Sequence, residues 1–124
     1  MNRIHTDKAP RAIGPYSQAI CANGFLFTSG QIPINAESGN IDAVGIKEQT
    51  EVVCKNLGEV LKAAGCDFNS VIKTTCFITD MTHFAEFNEV YSKYFVSSPA
   101  RSCVAVKELP KGALVEIELV ALLG

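Results

Sequence analysis

The sequence is poor in the residues from which metal and cofactor centres are commonly built. Its two histidines, His5 and His83, lie far apart, and its five cysteines (Cys21, Cys54, Cys66, Cys76 and Cys103) form an odd set with no C-x-x-C pair. That pattern argues against a zinc site and against a disulfide framework, and predicts a reducing, cytoplasmic setting. Carboxylates alone remain able to hold magnesium or calcium. Neither a glycine-rich phosphate loop nor a Ser-His-Asp order is present, so no metal, nucleotide or other cofactor is expected. No apolar run approaches the length of a membrane span, and Met1 to Pro10 carries no apolar core of the kind an export signal needs. Positive charge is not in surplus either. Eleven Lys and Arg stand against 13 Asp and Glu, a net charge of −2, and the cations are scattered. Tight binding of nucleic acid through its phosphates is therefore not expected.

What remains is an ordinary globular chain of 124 residues, 48% hydrophobic and 19% charged. That length suits one domain over residues 1–124 and is too short for two, so any second half of an active site has to come from another copy of the chain. Tyr16 to Ala22 and Phe25 to Gln31 read as strands joined at Asn23-Gly24, a dipeptide suited to a tight hairpin turn. From Gly45 the period becomes helical. Ile46, Val53, Leu57, Val60, Leu61 and Ala64 share one face, and Gly65 is a natural stop. Val71 to Thr79 reads as a strand. Asp80 is placed to cap a second helix that buries Phe84, Phe87, Tyr91 and Tyr94 or Phe95 before Pro99. Two further strands, Arg101 to Val106 and Leu114 to Leu122, are joined by the turn Leu109-Pro110-Lys111-Gly112. The pattern predicts an α+β fold, a mainly antiparallel sheet with two helices on one face.

Side-chain alternation in the last strand says more. Val115, Ile117, Leu119, Ala121 and Leu123 form one wholly apolar side, where helices should pack. The other side holds Leu114, Glu116, Glu118, Val120 and Leu122. Carboxylates among that many apolar neighbours predict a second covered face, with another subunit as the cover. By the same alternation Arg101, Cys103 and Ala105 share a face of their strand, opposite Ser102, Val104 and Val106.

The candidates for chemistry are few. Arg101 is either a surface ion-pair residue or a fork that grips a substrate carboxylate. Glu116 and Glu118 are either solvated charges or, if apolar neighbours raise their pKa, proton-transfer groups. Tyr16, after the Gly14-Pro15 turn, is an anchoring aromatic or a site hydroxyl, and Cys103 is a small core residue or part of a pocket. Ser29-Gly30 ends a strand or lets a ligand approach the backbone.

The segment Pro99-Ala-Arg-Ser-Cys-Val-Ala-Val-Lys-Glu-Leu-Pro-Lys-Gly-Ala-Leu-Val-Glu-Ile closely resembles the C-terminal signature of the RidA/YjgF/YER057c/UK114 family. Ala12-Ile-Gly-Pro-Tyr-Ser-Gln-Ala, Thr28-Ser-Gly-Gln-Ile-Pro, Val71-Ile-Lys-Thr-Thr-Cys-Phe-Ile and Phe87-Asn-Glu-Val-Tyr extend the likeness over nearly the whole chain. The resemblance implies a chorismate-mutase-like fold with a mixed six-stranded sheet, in a homotrimer around a central β-barrel with clefts between subunits. It also implies hydrolysis of 2-iminobutanoate and 2-iminopropanoate, or their enamine tautomers, to 2-oxo acids and ammonia, after pyridoxal-phosphate enzymes release them. On the same resemblance Arg101 binds the substrate carboxylate, Glu116 acts on the attacking water and Tyr16 lies near the imine. Ser29, Gly30, Asn88 and Cys103 line the pocket. Ala105 departs from the pattern, standing where many close members carry an acidic residue, which bears on substrate preference.

Two other classes compete. A regulatory protein would bind small carboxylic acids in the same cleft without turnover. An endoribonuclease or translation inhibitor, as suggested for some relatives, would need RNA affinity that the charge balance does not offer.

Overall fold

The computed structural model describes residues 1–124. Six strands form one sheet: β1 (Asn2–Ile4), β2 (Ala19–Ala22), β3 (Phe25–Thr28), β4 (Val71–Ile78), β5 (Ala100–Ala105) and β6 (Val115–Leu122). Their spatial order is β1-β2-β3-β6-β4-β5, and only β4 and β5 run parallel. A parallel pair needs a crossover, supplied here by α2 (Phe84–Tyr94) between β4 and β5. The other helix, α1 (Ile46–Ala63), precedes β4 and packs beside α2 and against β6. The fold is the α+β arrangement that the periodicities predict.

Local chemistry explains the boundaries. Asn23 and Gly24 both take positive φ (51° and 82°), the twist that a two-residue hairpin between β2 and β3 requires. In α1, Val53, Cys54, Leu57, Val60 and Leu61 are fully buried on one side, and Gly65 (φ 79°) turns the chain out of the helix. Val115, Ile117, Leu119 and Ala121 lie under the helices with Leu26, Cys76 and Ile78. The opposite face of the sheet has no cover within the chain. Phe27, Val104 and Leu122 are 46%, 47% and 47% exposed there, beside half-buried Phe25, Phe77 and Val120.

Four details depart from the sequence reading. Strand β1 was not anticipated; three residues are too few to show a period, and it exists by pairing with β2. Tyr16 to Gln18 precede β2 instead of belonging to it. The buried Gln18 side chain accepts from Thr6 N (2.7 Å) and donates to the carbonyls of Thr6, Ala9 and Pro10 (3.1, 3.4 and 2.8 Å), tying the N-terminal segment down. Strand β3 stops at Thr28, whose hydroxyl takes the Leu119 N–H at 3.0 Å in place of a ladder bond; pairing resumes only at Gln31 with Ile117. Asp80 caps a single 3-10 turn, Met81–His83, through Thr82 N at 2.9 Å, and α2 starts after it. The first turn of chain beyond Asp80 is therefore tighter than an α-helix.

Candidate active site

The interruption of β3 builds the first group of candidate residues. Between Thr28 and Gln31 the chain leaves the ladder, and Gly30 lies against the Glu116 side chain of β6. A Cβ built on Gly30 would come within 2.8 Å of Glu116 Cδ, so only glycine admits the carboxylate in this place. Gly30 N–H has no backbone partner. Ser29 is fixed by donating from Oγ to Ser17 O at 2.6 Å and from N to Gln18 O at 2.9 Å. Tyr16 is half exposed, its hydroxyl accepting a long bond from Ile13 N (3.5 Å). Tyr16, Ser29, Gly30 and Glu116 line a hollow of about 460 Å³, with Arg11 and Lys111 at its wall. Burial, and secondarily the Glu118 carboxylate, raises the Glu116 pKa above its ordinary value of 4.5. Of the two glutamates, Glu116 is half-buried and Glu118 exposed.

The second group sits on β5 and α2. Arg101 donates from Nη1 to Asn88 Oδ1 at 2.7 Å, and its guanidinium carbon lies 4.8, 5.4 and 6.0 Å from the ring centres of Tyr91, Phe84 and Phe87. Both ion pairs of the chain, His5–Asp7 and Lys47–Glu89, leave Arg101 out. The ion-pair reading of this arginine is thus not met: its fork is braced by an amide and aromatic faces, with donors to spare. Cys103 follows on the same face. Burial raises its thiol pKa against the opposing pull of Arg101.

One chain does not bring the two groups together. Thr74 of β4 is the register partner of Arg101, and Cys76 that of Cys103, on the helix-covered face; Phe77 partners Glu116 and Thr75 partners Glu118 on the open face. Arg101, Cys103 and Asn88 therefore stand on one side of the sheet, and Tyr16, Ser29, Gly30 and Glu116 on the side facing away. Nowhere do three or more His, Cys, Asp or Glu side chains gather as a set that could hold a metal ion. No helix is long and apolar enough to cross a membrane.

Sequence reasoning missed the aromatic bracing. Phe84, Phe87 and Tyr91 were read as core, and the signal that distinguished them was polar Asn88 within the same helical stripe. It also missed Gln18 and Lys111, which lie at the hollow.

Comparison with known proteins adds the relationship. The family model described as endoribonuclease L-PSP matches residues 6–123. A mouse protein named 2-iminobutanoate/2-iminopropanoate deaminase is 49% identical over 98% of this chain and 90% of its own length. The crystal structure of a Rid-family protein from Yersinia pestis superposes with a TM-score of 0.95 at 50% identity, covering 98% of both chains. That of E. coli TdcF with bound serine does so with a TM-score of 0.95 at 40% identity over the whole of both. With likeness of sequence and fold running from end to end, the chain belongs to the endoribonuclease L-PSP family, the RidA/YjgF/YER057c/UK114 family that its signature segments resemble.

Proposed function

We propose that the protein is a 2-iminobutanoate/2-iminopropanoate deaminase whose active site forms between two copies of the chain. The observation that supports this reading is the separation just described: the Arg101 guanidinium, with donors to spare, and the half-buried Glu116 carboxylate stand on opposite faces of the sheet. A neighbouring copy that covers the open apolar face supplies the missing half. We take the assembly to be a closed homotrimer, with the open faces of three sheets turned inward as a central barrel. Free thiols at all five cysteines suit a cytoplasmic setting.

The chemistry asks little of the protein. An imine carbon is already electrophilic, so catalysis consists of orienting substrate and water and moving protons. Arg101 of one copy pairs with the substrate carboxylate. Glu116 of the next takes a proton from water as its oxygen bonds to the carbon of the protonated imine, giving a carbinolamine. Glu116 passes that proton to the nitrogen beside Tyr16, and ammonia leaves as the hydroxyl proton returns to Glu116 and the C–O bond becomes the carbonyl of the 2-oxo acid. Ser29, Gly30, Asn88 and Cys103 line the cleft.

The direct test generates the imine with a threonine dehydratase and follows release of 2-oxo acid with and without this protein, no metal or nucleotide being added. Acceleration proportional to protein concentration is expected; an unchanged rate contradicts the reading. The serine bound to TdcF favours, as a second reading, a binding protein for small amino-acid-like ligands. Binding without turnover in the same assay would select it. An RNA-cleaving role, which the family description names, sits poorly with a net charge of −2.

Two further results are expected at the Glu116 half-site. In Gly30→Ala the new methyl displaces the carboxylate, and turnover should fall by about 10- to 100-fold with the fold retained, since small misplacements of a catalytic group have that scale of effect. Circular dichroism and initial rates on the purified variant check this. As to pH, activity needs the ionised carboxylate, so turnover should rise through an inflection above 4.5. Removing the neighbouring charge with Glu118→Gln should move that inflection to lower pH. Stability has the opposite sign. The folded chain holds this proton more tightly than the unfolded chain, so the contribution is lost as pH rises from the unfolded pKa through the raised folded one.

A further inference from the structure

Arginine side chains are long and lose rotamer freedom when fixed, so a fork that binds a small carboxylate efficiently has to be held in place beforehand. The structure contains a device suited to this task. Tyr91 is the aromatic ring nearest the Arg101 guanidinium, at 4.8 Å. Its own ring is held by stacking on Phe95 (4.3 Å, 21°) and by a tilted contact with Phe87 (5.5 Å, 41°). Its hydroxyl lies 2.7 Å from Thr74 Oγ1 in a buried hydrogen bond. Thr74 is also the residue beside Arg101 in the β4–β5 register. The hydroxyl that anchors the ring thus grows from the strand position next to the arginine that the ring supports. Cys76 Sγ adds a weak bond to the same Thr74 oxygen at 3.9 Å.

We propose that Tyr91, anchored by Thr74, is a positioning residue that presets the direction of the Arg101 fork for a substrate carboxylate. Asn88 holds one nitrogen of the guanidinium and the Tyr91 ring lies beside its carbon, which leaves the remaining N–H groups free for the substrate. Charge and ring attract each other as a cation–π pair, and the buried Thr74 bond keeps the ring from following the arginine if it swings away. This inference rests on the carboxylate-binding role proposed for Arg101, and it adds that the role fails in part when Arg101 is intact but unsupported.

The test is a double-mutant cycle on the whole assembled protein. Its readouts are KM and kcat for 2-iminobutanoate in the arginine-bearing variants and the dissociation constant of 2-oxobutanoate in all of them. Tyr91→Leu keeps apolar bulk and removes the ring, and should raise KM by about 5- to 10-fold with kcat within about 2-fold, the signature of lost binding shared by ground and transition states. Tyr91→Phe keeps the ring and loses the anchor, and Thr74→Val loses the anchor from the other side; each should raise KM by about 2- to 4-fold. In an Arg101→Ala background none of the three should weaken 2-oxobutanoate further, because their effect passes through the arginine. If Tyr91→Leu does not fold, Tyr91→Phe and Thr74→Val carry the same cycle. Unchanged KM in the folded variants, or the same fold loss with and without Arg101, overturns the proposal. Full turnover by Arg101→Ala alone is a different outcome, and it removes the carboxylate-binding role itself.

Discussion

Glu116→Gln is expected to lower turnover of 2-iminobutanoate by about 100-fold or more while affinity for a 2-oxo acid stays near the parental value. The amide has the shape of the carboxylate and fits the same space against Gly30, space that a Cβ on residue 30 would take away. What it lacks is the capacity to take a proton from water. Burial keeps the Glu116 pKa above the ordinary value, so the native carboxylate is a better proton acceptor than a solvated one. Glu118, exposed two residues away on the same face, supplies the control. Glu118→Gln should leave the rate at neutral pH within about 3-fold, a difference expected of a neighbouring charge and not of a lost base. Rates and 2-oxobutanoate affinities of the two variants, each confirmed in the parental oligomeric state, make the comparison. Equal loss from both substitutions contradicts the assignment of the base to Glu116.

Arg101→Ala should cost more than a surface arginine does, because it removes a charge-assisted pair from a partly desolvated place, an effect of about 2 to 5 kcal/mol. Both turnover and 2-oxo acid binding should weaken, in contrast to the split expected for Glu116→Gln. Arg101→Lys should recover little. An ammonium keeps the charge but lacks the planar fork, and it cannot make two parallel bonds to a carboxylate alongside the one to Asn88. Steady-state kinetics with isothermal titration of 2-oxobutanoate checks this, and near-normal turnover in Arg101→Ala contradicts it.

Much of this was legible in the sequence wherever the deciding interactions are local. The helical spacing through Leu61, the Asn23-Gly24 hairpin and the two-faced alternation of Val115 to Leu122 are short-range patterns, and the structure follows each of them. The apolar residues around Glu116 announced an open face that lacks a cover within the chain. Other features depend on contacts that no local pattern carries. Strand β1 depends on its pairing with β2, and the early end of β3 on a bond between Thr28 and Leu119, 91 residues apart. Alternation correctly grouped Arg101 with Cys103 and set Glu116 against Ile117. Whether Arg101 and Glu116 face the same way is decided by two separate registers through β4, Thr74 with Arg101 and Phe77 with Glu116. The aromatic support of Arg101 stayed hidden for a related reason: Phe84, Phe87 and Tyr91 have the spacing of any core stripe, and their second role appears only once β5 lies beside α2.

The separation of the two half-sites is the centre of the account, and complementation between defective chains tests it most directly. Arg101→Ala and Glu116→Gln chains, each nearly inactive alone, are unfolded together, refolded as a mixture and assayed for 2-iminobutanoate hydrolysis. If each site takes Arg101 from one copy and Glu116 from the next, random trimers at equal proportions contain intact sites at about one interface in four, and about a quarter of the parental activity should return. A mixture no more active than its two components, with mixed trimers shown to be present by mass spectrometry, would contradict a site shared between subunits.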